Sequence, residues 1–163
     1  MENKLKVVLE ISKNSRLKYE VDKESGKLVL DRVLFGSNVY PQNYGYIEKT
    51  LDHDGDPLDV LIISNESLLP GSVIPTRILG AMKMIDSGDR DTKLIGVVDV
   101  DVRYKSFQKL ADIPEALLNE IKDFFSNYKK LENKEVEVQE FVDLEEAMKI
   151  LAECKDLFKK SHY

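Results

Sequence analysis

The sequence is poor in the residues that build covalent cross-links and soft-metal sites. Its 163 residues include one cysteine, Cys154, and two histidines, His53 and His162. A lone cysteine cannot form an internal disulfide and suits a reducing compartment. This set is also too small for a zinc site of the Cys/His type. Any metal would therefore be bound by oxygen atoms, which favours Mg²⁺, Mn²⁺ or Ca²⁺.

Several other familiar patterns are missing. No apolar run approaches the roughly 20 residues that cross a bilayer, and the N-terminus alternates charged with apolar residues, unlike a signal peptide. Neither a GxGxxG motif nor a P-loop occurs, and there is no repeat. The net charge of −6 does not favour nucleic acid or an anionic membrane. We therefore expect a cytoplasmic enzyme or binding protein that forms a single domain over residues 1–163.

Carboxylates are abundant in one short stretch, residues 51–60. Four aspartates occupy eight positions there without an intervening lysine or arginine: Asp52, Asp54, Asp56 and Asp59. Gly55 and Pro57 indicate a turn between two strand-like segments. Neighbouring carboxylates repel by roughly 4 kcal/mol per close pair at an effective dielectric constant near 20. Since a bound cation would relieve this repulsion, we interpret the stretch as a divalent-metal site.

A calcium-binding EF-hand loop is excluded as the explanation of this stretch. A frame that starts at Asp52 places Pro57 where the loop needs glycine and Ile63 where it needs glutamate. The flanking segments, 44–47 and 60–63, also have the pattern of strands rather than helices.

Hydrophobic periodicity predicts strands in the first two thirds of the chain and helices near its end. The predicted strands cover 4–11, 18–22, 28–34, 44–47, 60–63, 73–84 (a pair or one long bent strand) and 93–102, with a hairpin turn at 24–27. From Asp112 the spacing changes to three and four residues, which predicts a helix from Pro114 to Tyr128. A short strand at 135–138 and a last helix capped by Asp143 follow. This order predicts an α+β fold with a sheet or barrel core.

Two further features are ambiguous when taken alone. Tyr40, Tyr44 and Tyr46 form a cluster, and such clusters more often pack than react. The second acidic loop, 86–93, has the composition of a solvated turn, although two aspartate-rich turns on one small β domain could converge on one ion. Together with the cations at Lys18, Arg32, Lys93 and Lys129, these groups are typical of metal-assisted phosphoryl transfer.

At this point the motifs resemble those of the soluble family I inorganic pyrophosphatases over nearly the whole chain. The central motif is Asp54-Gly55-Asp56-Pro57-Leu58-Asp59-Val60, preceded by Tyr40-Pro41-x-Asn43-Tyr44-Gly45-Tyr46. The supporting motifs are Glu10 with Lys18-Tyr19-Glu20, Asp31-Arg32, Lys83-Met84-x-Asp86, Asp91-x-Lys93 and Phe124-Phe125-x-x-Tyr128-Lys129. One such motif would be weak, but their common order and spacing make a specific signal.

The resemblance implies Mg²⁺-dependent hydrolysis of pyrophosphate to two phosphates, with Mn²⁺ or another divalent ion as a substitute. It implies that Asp54, Asp59, Asp86 and Asp91 are metal ligands, that Asp56 is the general base, and that Glu10 and Glu20 orient metal-bound waters. Lys18, Arg32, Tyr40, Tyr44, Lys93, Tyr128 and Lys129 match positions that contact the substrate. The implied fold is a five-stranded OB-like β-barrel with two C-terminal helices packed outside, assembled as a homohexamer.

Two positions depart from the family pattern. Ser87 stands where some bacterial relatives carry an acidic residue, which predicts a weaker accessory metal position. Ser12 replaces a proline that is common after the first Glu-Ile, which predicts a looser loop. Neither position touches the expected metal core.

Two other functions remain open at this stage. A non-catalytic acidic module that binds Ca²⁺ or Mg²⁺ would explain the aspartate-rich turns, but not the matched lysine, arginine and tyrosine positions. A phosphatase acting on another phosphoanhydride or ester would use the same groups, although no base- or sugar-recognition feature supports it.

Overall fold

A computed structural model describes residues 2–162 of the chain. Within this range the strands are β1 Lys4–Ile11, β2 Leu17–Val21, β3 Leu28–Val33, β4 Asn43–Tyr46, β5 Asp59–Ile63, β6 Val73–Asp86, β7 Asp89–Arg90, β8 Lys93–Val98 and β9 Val136–Val142. The α-helices are α1 Glu115–Asn127 and α2 Leu144–Ser161. The predicted order of many strands followed by two late helices is thus confirmed.

The main sheet closes on itself. Its strands are hydrogen-bonded in the order β1-β4-β5-β8-β6, and β6 pairs back with β1, which completes a ring of five strands. All of these pairings are antiparallel except β5 with β8, which is parallel. β7 and β9 extend the sheet from β6, while β2 and β3 form a separate hairpin. The ring agrees with the predicted five-stranded OB-like barrel.

The segment 73–86 is one long strand rather than a pair. Its pairing with β8 shifts register between Ile78 and Gly80, and such an irregularity bends a strand. Gly80 also permits a close approach, because a Cβ atom there would lie 2.4 Å from Leu110 Cγ. Along its length β6 pairs with four strands: β1, β7, β8 and β9.

Some predicted boundaries differ from those of the structure. The predicted strand 93–102 ends at Val98, because Asp101 accepts a hydrogen bond from Arg103 N (3.0 Å) and caps a 3-10 helix, Val102–Tyr104. Pro114 precedes α1 instead of forming part of it. The predicted cap of α2 is confirmed, since Asp143 Oδ1 accepts from Glu146 N at 3.0 Å.

Two apolar clusters join the helices to the sheet. One combines the buried face of α1 (Ile121, Phe124 and Phe125) with β4 and β8 residues, and the other combines α2 with β1, β5 and β6. Cys154 is buried in the second cluster, as its helical spacing predicts. Neither helix within residues 2–162 has the length and apolarity needed to cross a membrane.

Candidate active site

The predicted site residues meet in a cavity of about 600 Å³. Its lining includes the carboxylates Glu10, Glu20, Asp54, Asp56, Asp59, Asp86 and Asp91, the cations Lys18, Lys93 and Lys129, and the tyrosines Tyr40, Tyr44 and Tyr128. Arg32 is the predicted site residue that does not line it. The fold therefore brings together motifs that lie up to 119 positions apart in the sequence, from Glu10 to Lys129.

The first acidic turn is closed by its own backbone. Asp52 N donates to Asp56 O at 2.8 Å, and Gly55 N donates to Asp52 O at 3.1 Å. Gly55 has φ of +87°, a conformation that glycine adopts without the steric cost of a Cβ atom. Asp54 Oδ1 accepts from Asp56 N at 3.0 Å, which orients the Asp54 carboxylate. Asp56 itself stays exposed at the mouth of the turn.

The parallel pairing of β5 with β8 brings the second acidic segment to the first. Asp59 and Lys93 are register partners at the starts of these two strands. Asp91 lies two residues before Lys93, so that its side chain falls beside Asp59. Carboxylate oxygens of Asp54, Asp59 and Asp91 all lie within 4.8 Å of one another.

Lys93 is the cation of this cluster, and it is almost completely buried. Its Nζ donates to Asp59 Oδ2 at 2.8 Å, to Asp91 Oδ1 at 2.9 Å and to Tyr44 Oη at 2.7 Å. It also lies 5.1 Å from the centre of the Tyr44 ring and 5.5 Å from that of Phe125. When fully ionised, the three carboxylates and this one ammonium carry two excess negative charges. An all-oxygen donor set with that excess fits a hard divalent cation.

Burial and crowding raise the pKa values of several carboxyls. Burial, reinforced by the Asp91 charge, raises the pKa of Asp54 to about 8. Burial raises the pKa of Asp59 to about 7 against the opposing effect of Lys93. Burial also acts to raise the pKa of Asp91, but the charge and hydrogen bond of Lys93, together with hydrogen bonds to Asp59 and Asp54, outweigh it, and the net shift is downward. Glu10, buried nearby, has its pKa raised to about 7 mainly by desolvation.

An aromatic cluster forms one wall of the cavity. The centre of the Tyr40 ring lies 4.6 Å from that of Phe124 and 5.2 Å from that of Tyr44, and Tyr128 packs on Phe124 at 5.1 Å. Burial raises the pKa values of Tyr40, Tyr44 and Tyr128, so that these phenols remain protonated. The tyrosines thus pack against one another and also line the cavity. The sequence had suggested packing or a role in the site as alternatives, but the two are compatible.

The remaining predicted groups lie around this centre. Lys18 contacts Glu20. Lys129 contacts Asp86, which does not belong to the group formed by Asp54, Asp59 and Asp91. Arg32, the cross-strand partner of Lys18, is held by Asp31 and by Glu132, with 3.2 Å between Arg32 Nε and Glu132 Oε1.

Sequence reasoning missed some residues that the fold brings to the cavity. Tyr19, Tyr46 and His162, to which the resemblance assigns no role, line it as well. His162 reaches the cavity from the end of α2, and no local motif indicates this. His53 is an exposed residue that contacts Glu153.

The two departures from the family pattern have local structural roles. Ser12 Oγ donates to Leu68 O at 2.6 Å, which fastens the loop that the missing proline was expected to stiffen. Ser87 has a positive φ of 52° at the tip of the β6–β7 turn, and its hydroxyl donates to Asp86 Oδ1 at 3.2 Å.

Comparison with known proteins agrees with the geometry. The family model described as inorganic pyrophosphatase matches residues 7–159. The inorganic pyrophosphatase of Malacoplasma penetrans is 50% identical over 157 residues, which cover 96% of this chain and 87% of that protein. The solved structure of the Helicobacter pylori inorganic pyrophosphatase superposes with a TM-score of 0.93 at 42% identity, covering 96% of this chain and 94% of the other. That of the Thermus thermophilus enzyme gives 0.93 at 40% identity, covering 97% and 92%.

These matches extend over nearly the whole chain and include its barrel, both helices and the cavity. They confirm the family resemblance found in the motifs and the OB-like barrel, and they identify the chain as a hydrolase. The chain belongs to the bacterial-type family I inorganic pyrophosphatases.

Proposed function

We propose that this chain hydrolyses inorganic pyrophosphate to two orthophosphates in a Mg²⁺-dependent reaction. The observation that carries the proposal is the convergence of Asp54, Asp59 and Asp91 beside Lys93, in a cavity that also holds Lys18 and Lys129. A cavity lined both by an excess of carboxylates and by the ammonium groups of Lys18, Lys93 and Lys129 suits a metal-bound polyanion.

In this proposal Asp54, Asp59 and Asp91 hold Mg²⁺, and Asp86 provides a further position. Mn²⁺ or another divalent ion could replace it, because the donors are all oxygen atoms. When bound, Mg²⁺ supplies charge neutralisation for phosphate oxygens and lowers the pKa of coordinated water. The donor set fits the ion because it offers carboxylate oxygens within 4.8 Å of one another, and Mg²⁺ is usually held by a few carboxylates together with water and phosphate oxygens.

Asp56 acts as the general base of the reaction. It is the exposed carboxylate of the turn and lines the cavity next to Asp54. The oxygen of a water molecule attacks one phosphorus atom, its proton passes to the Asp56 carboxylate, and the bond from that phosphorus to the bridging oxygen breaks. The second phosphate leaves with the bridging oxygen. Glu10 and Glu20, which also line the cavity, would orient water molecules bound to the metal.

The cations and phenols contact the substrate. Lys18, Arg32, Lys93 and Lys129 provide positive charge for the phosphate oxygens, and Tyr40, Tyr44 and Tyr128 provide hydroxyl donors. Arg32 would have to exchange its contact with Glu132 or extend beyond it, because its side chain is not part of the cavity lining.

At the level of the whole protein, we propose a single domain over residues 1–163 that assembles as a homohexamer in the cytoplasm. No nucleic-acid or membrane partner is proposed, in keeping with the net charge of −6.

The test is phosphate release from pyrophosphate by the wild type and by Asp56→Asn, each with Mg²⁺ and with EDTA. We expect EDTA to abolish release and Asp56→Asn to reduce it about 10²- to 10⁴-fold, the usual contribution of a general base. Asp89→Asn is the matched control, because Asp89 is an exposed aspartate at the start of β7, outside the cavity lining.

A folded wild type that binds Mg²⁺ but releases no phosphate would contradict the proposal and favour a structural metal-binding module. Faster release from nucleotide anhydrides or phosphate esters than from pyrophosphate would instead favour a phosphatase of another specificity.

A further inference from the structure

One buried carboxylate near the site is not used by the proposed chemistry. Asp52 begins the first acidic turn, yet it is only 3% exposed and does not line the cavity. A buried carboxylate is costly unless hydrogen bonds and an opposite charge compensate it. The partners that compensate it therefore indicate what it does.

The partners of Asp52 come from both acidic segments. Within its own turn, Asp52 Oδ1 accepts from His53 N at 2.8 Å. From the other segment, Asp52 Oδ2 accepts from Thr92 N at 3.0 Å, and Asp52 Oδ1 accepts from Arg90 Nη2 at 3.2 Å and Arg90 Nε at 3.3 Å. Asp91 lies between these two donor residues, and Asp54 lies two residues after Asp52. One side chain thus joins the backbones that carry Asp54 and Asp91.

Helix α2 supports the same connection. Arg90 Nη1 donates to Glu153 Oε2 at 3.3 Å, and Leu51 N donates to Cys154 O at 3.0 Å. The two acidic segments are therefore fixed to each other and to one rigid helix. Such an attachment is needed because the carboxylates that they carry repel one another.

We propose that Asp52 is a positioning residue that holds Asp54 and Asp91 at chelating distance through Thr92 N and Arg90. The inference rests on the proposed function in that Mg²⁺ is taken as the ion bound by these carboxylates. It assigns Asp52 no contact with substrate or metal.

The test is calorimetric titration of Mg²⁺ into substrate-free protein, with urea unfolding to verify that each variant is folded. Asp52→Ala loses all the side-chain hydrogen bonds, and we expect its Kd for Mg²⁺ to rise at least about 10-fold. Asp52→Asn keeps an oxygen for Thr92 N and should recover part of this loss. The Kd of Arg90→Gln for Mg²⁺ should lie between those of the two Asp52 variants. If Asp52→Ala does not fold, Arg90→Gln tests the proposal in its place.

Asp101→Ala is the matched control. Asp101 also accepts from a backbone amide and from an arginine, Arg103, but it does not line the cavity or contact either acidic segment. Its Kd for Mg²⁺ should equal that of the wild type. In phosphate release, Asp52→Ala should need more Mg²⁺ for half-maximal rate, while kcat at saturating Mg²⁺ changes little.

Folded Asp52→Ala and Arg90→Gln proteins with the Mg²⁺ affinity of the wild type would overturn the inference. A wild type that releases no phosphate, together with a loss of Mg²⁺ affinity in Asp52→Ala, would refute the proposed function and leave the positioning role standing. The two claims therefore fail separately.

Discussion

The strongest prediction concerns the pH dependence of stability in the absence of divalent ions. The pKa values of Asp54, Asp59 and Glu10 are raised to about 8, 7 and 7 in the folded chain, whereas unfolded carboxyls titrate near about 4. Between these limits the folded state binds more protons than the unfolded state. A group of this kind stabilises the fold at low pH, and its contribution is lost as the pH rises through the folded pKa.

The size of the effect follows from the number of protons. For each extra proton that the folded state binds, the free energy of unfolding falls by about 1.4 kcal/mol when the pH rises by one unit. One net proton gives that slope, and all three groups together give at most about 4 kcal/mol per pH unit. The lowered pKa of Asp91 acts only below about pH 4, where unfolded aspartates titrate. We therefore expect a decline in stability of at least about 1.4 kcal/mol per unit between about pH 5 and pH 7.

Magnesium should reverse this trend, because it competes with protons for the same oxygens and binds the folded state alone. The assay is urea unfolding followed by circular dichroism over this pH range, with EDTA and with excess Mg²⁺. Asp54→Asn is the informative variant, since it removes one of the titrating groups and should reduce both the slope in EDTA and the stabilisation by Mg²⁺. A pH-independent free energy of unfolding in EDTA, or a Mg²⁺ effect as large at about pH 5 as at about pH 7, would refute the reasoning.

Three further predictions concern packing and reactivity. Phe125→Ala should lower the free energy of unfolding by about 3–5 kcal/mol in urea titration, because the ring is fully buried and its removal leaves a cavity. Gly80→Ala should lower the free energy of unfolding by about 1–3 kcal/mol, because the added Cβ would lie 2.6 Å from Val142 O. Gly36→Ala is the control: its Cβ would lie 3.6 Å from the nearest atom, so the free energy of unfolding should hardly change in the same assay. Burial raises the pKa of the Cys154 thiol to about 12, so a thiol reagent at about pH 8 should label the chain only after urea is added; rapid labelling of the folded chain would contradict this.

Local patterns in the sequence predicted the strands and helices well where one face of an element is apolar. The alternation of Lys4–Ile11 and the helical spacing of α2 are of this kind, because each buries one face against the core. The pattern failed after Val98. Val98, Val100 and Val102 alternate with aspartates as in a strand, but Val100 and Val102 are more than 70% exposed, and Asp101 caps a 3-10 helix there.

The composition of the candidate site could be predicted from the sequence, but its contacts could not. Of the residues that the motifs assign to the site, all except Arg32 line the cavity, which also includes residues that the motifs do not assign. The bond from Lys93 to Asp59 depends on the register of two strands that are not consecutive in the chain. The role proposed for Asp52 likewise depends on partners 38 and 40 residues away. Local periodicity contains no information on such pairings.

The parallel pairing of β5 with β8 explains why this fold concentrates negative charge. Parallel neighbours begin at the same edge of a sheet, so the segments that precede them must lie side by side. Here those segments are the turn with Asp54 and the loop with Asp91, and the topology brings their like charges together. Two contacts within the protein oppose this repulsion. One is made by Lys93 with Asp59 and Asp91, and the other is the buried contact between Asp52 and Arg90. Because the charge excess remains after both contacts, the site should reach its most stable arrangement only when a divalent cation is bound.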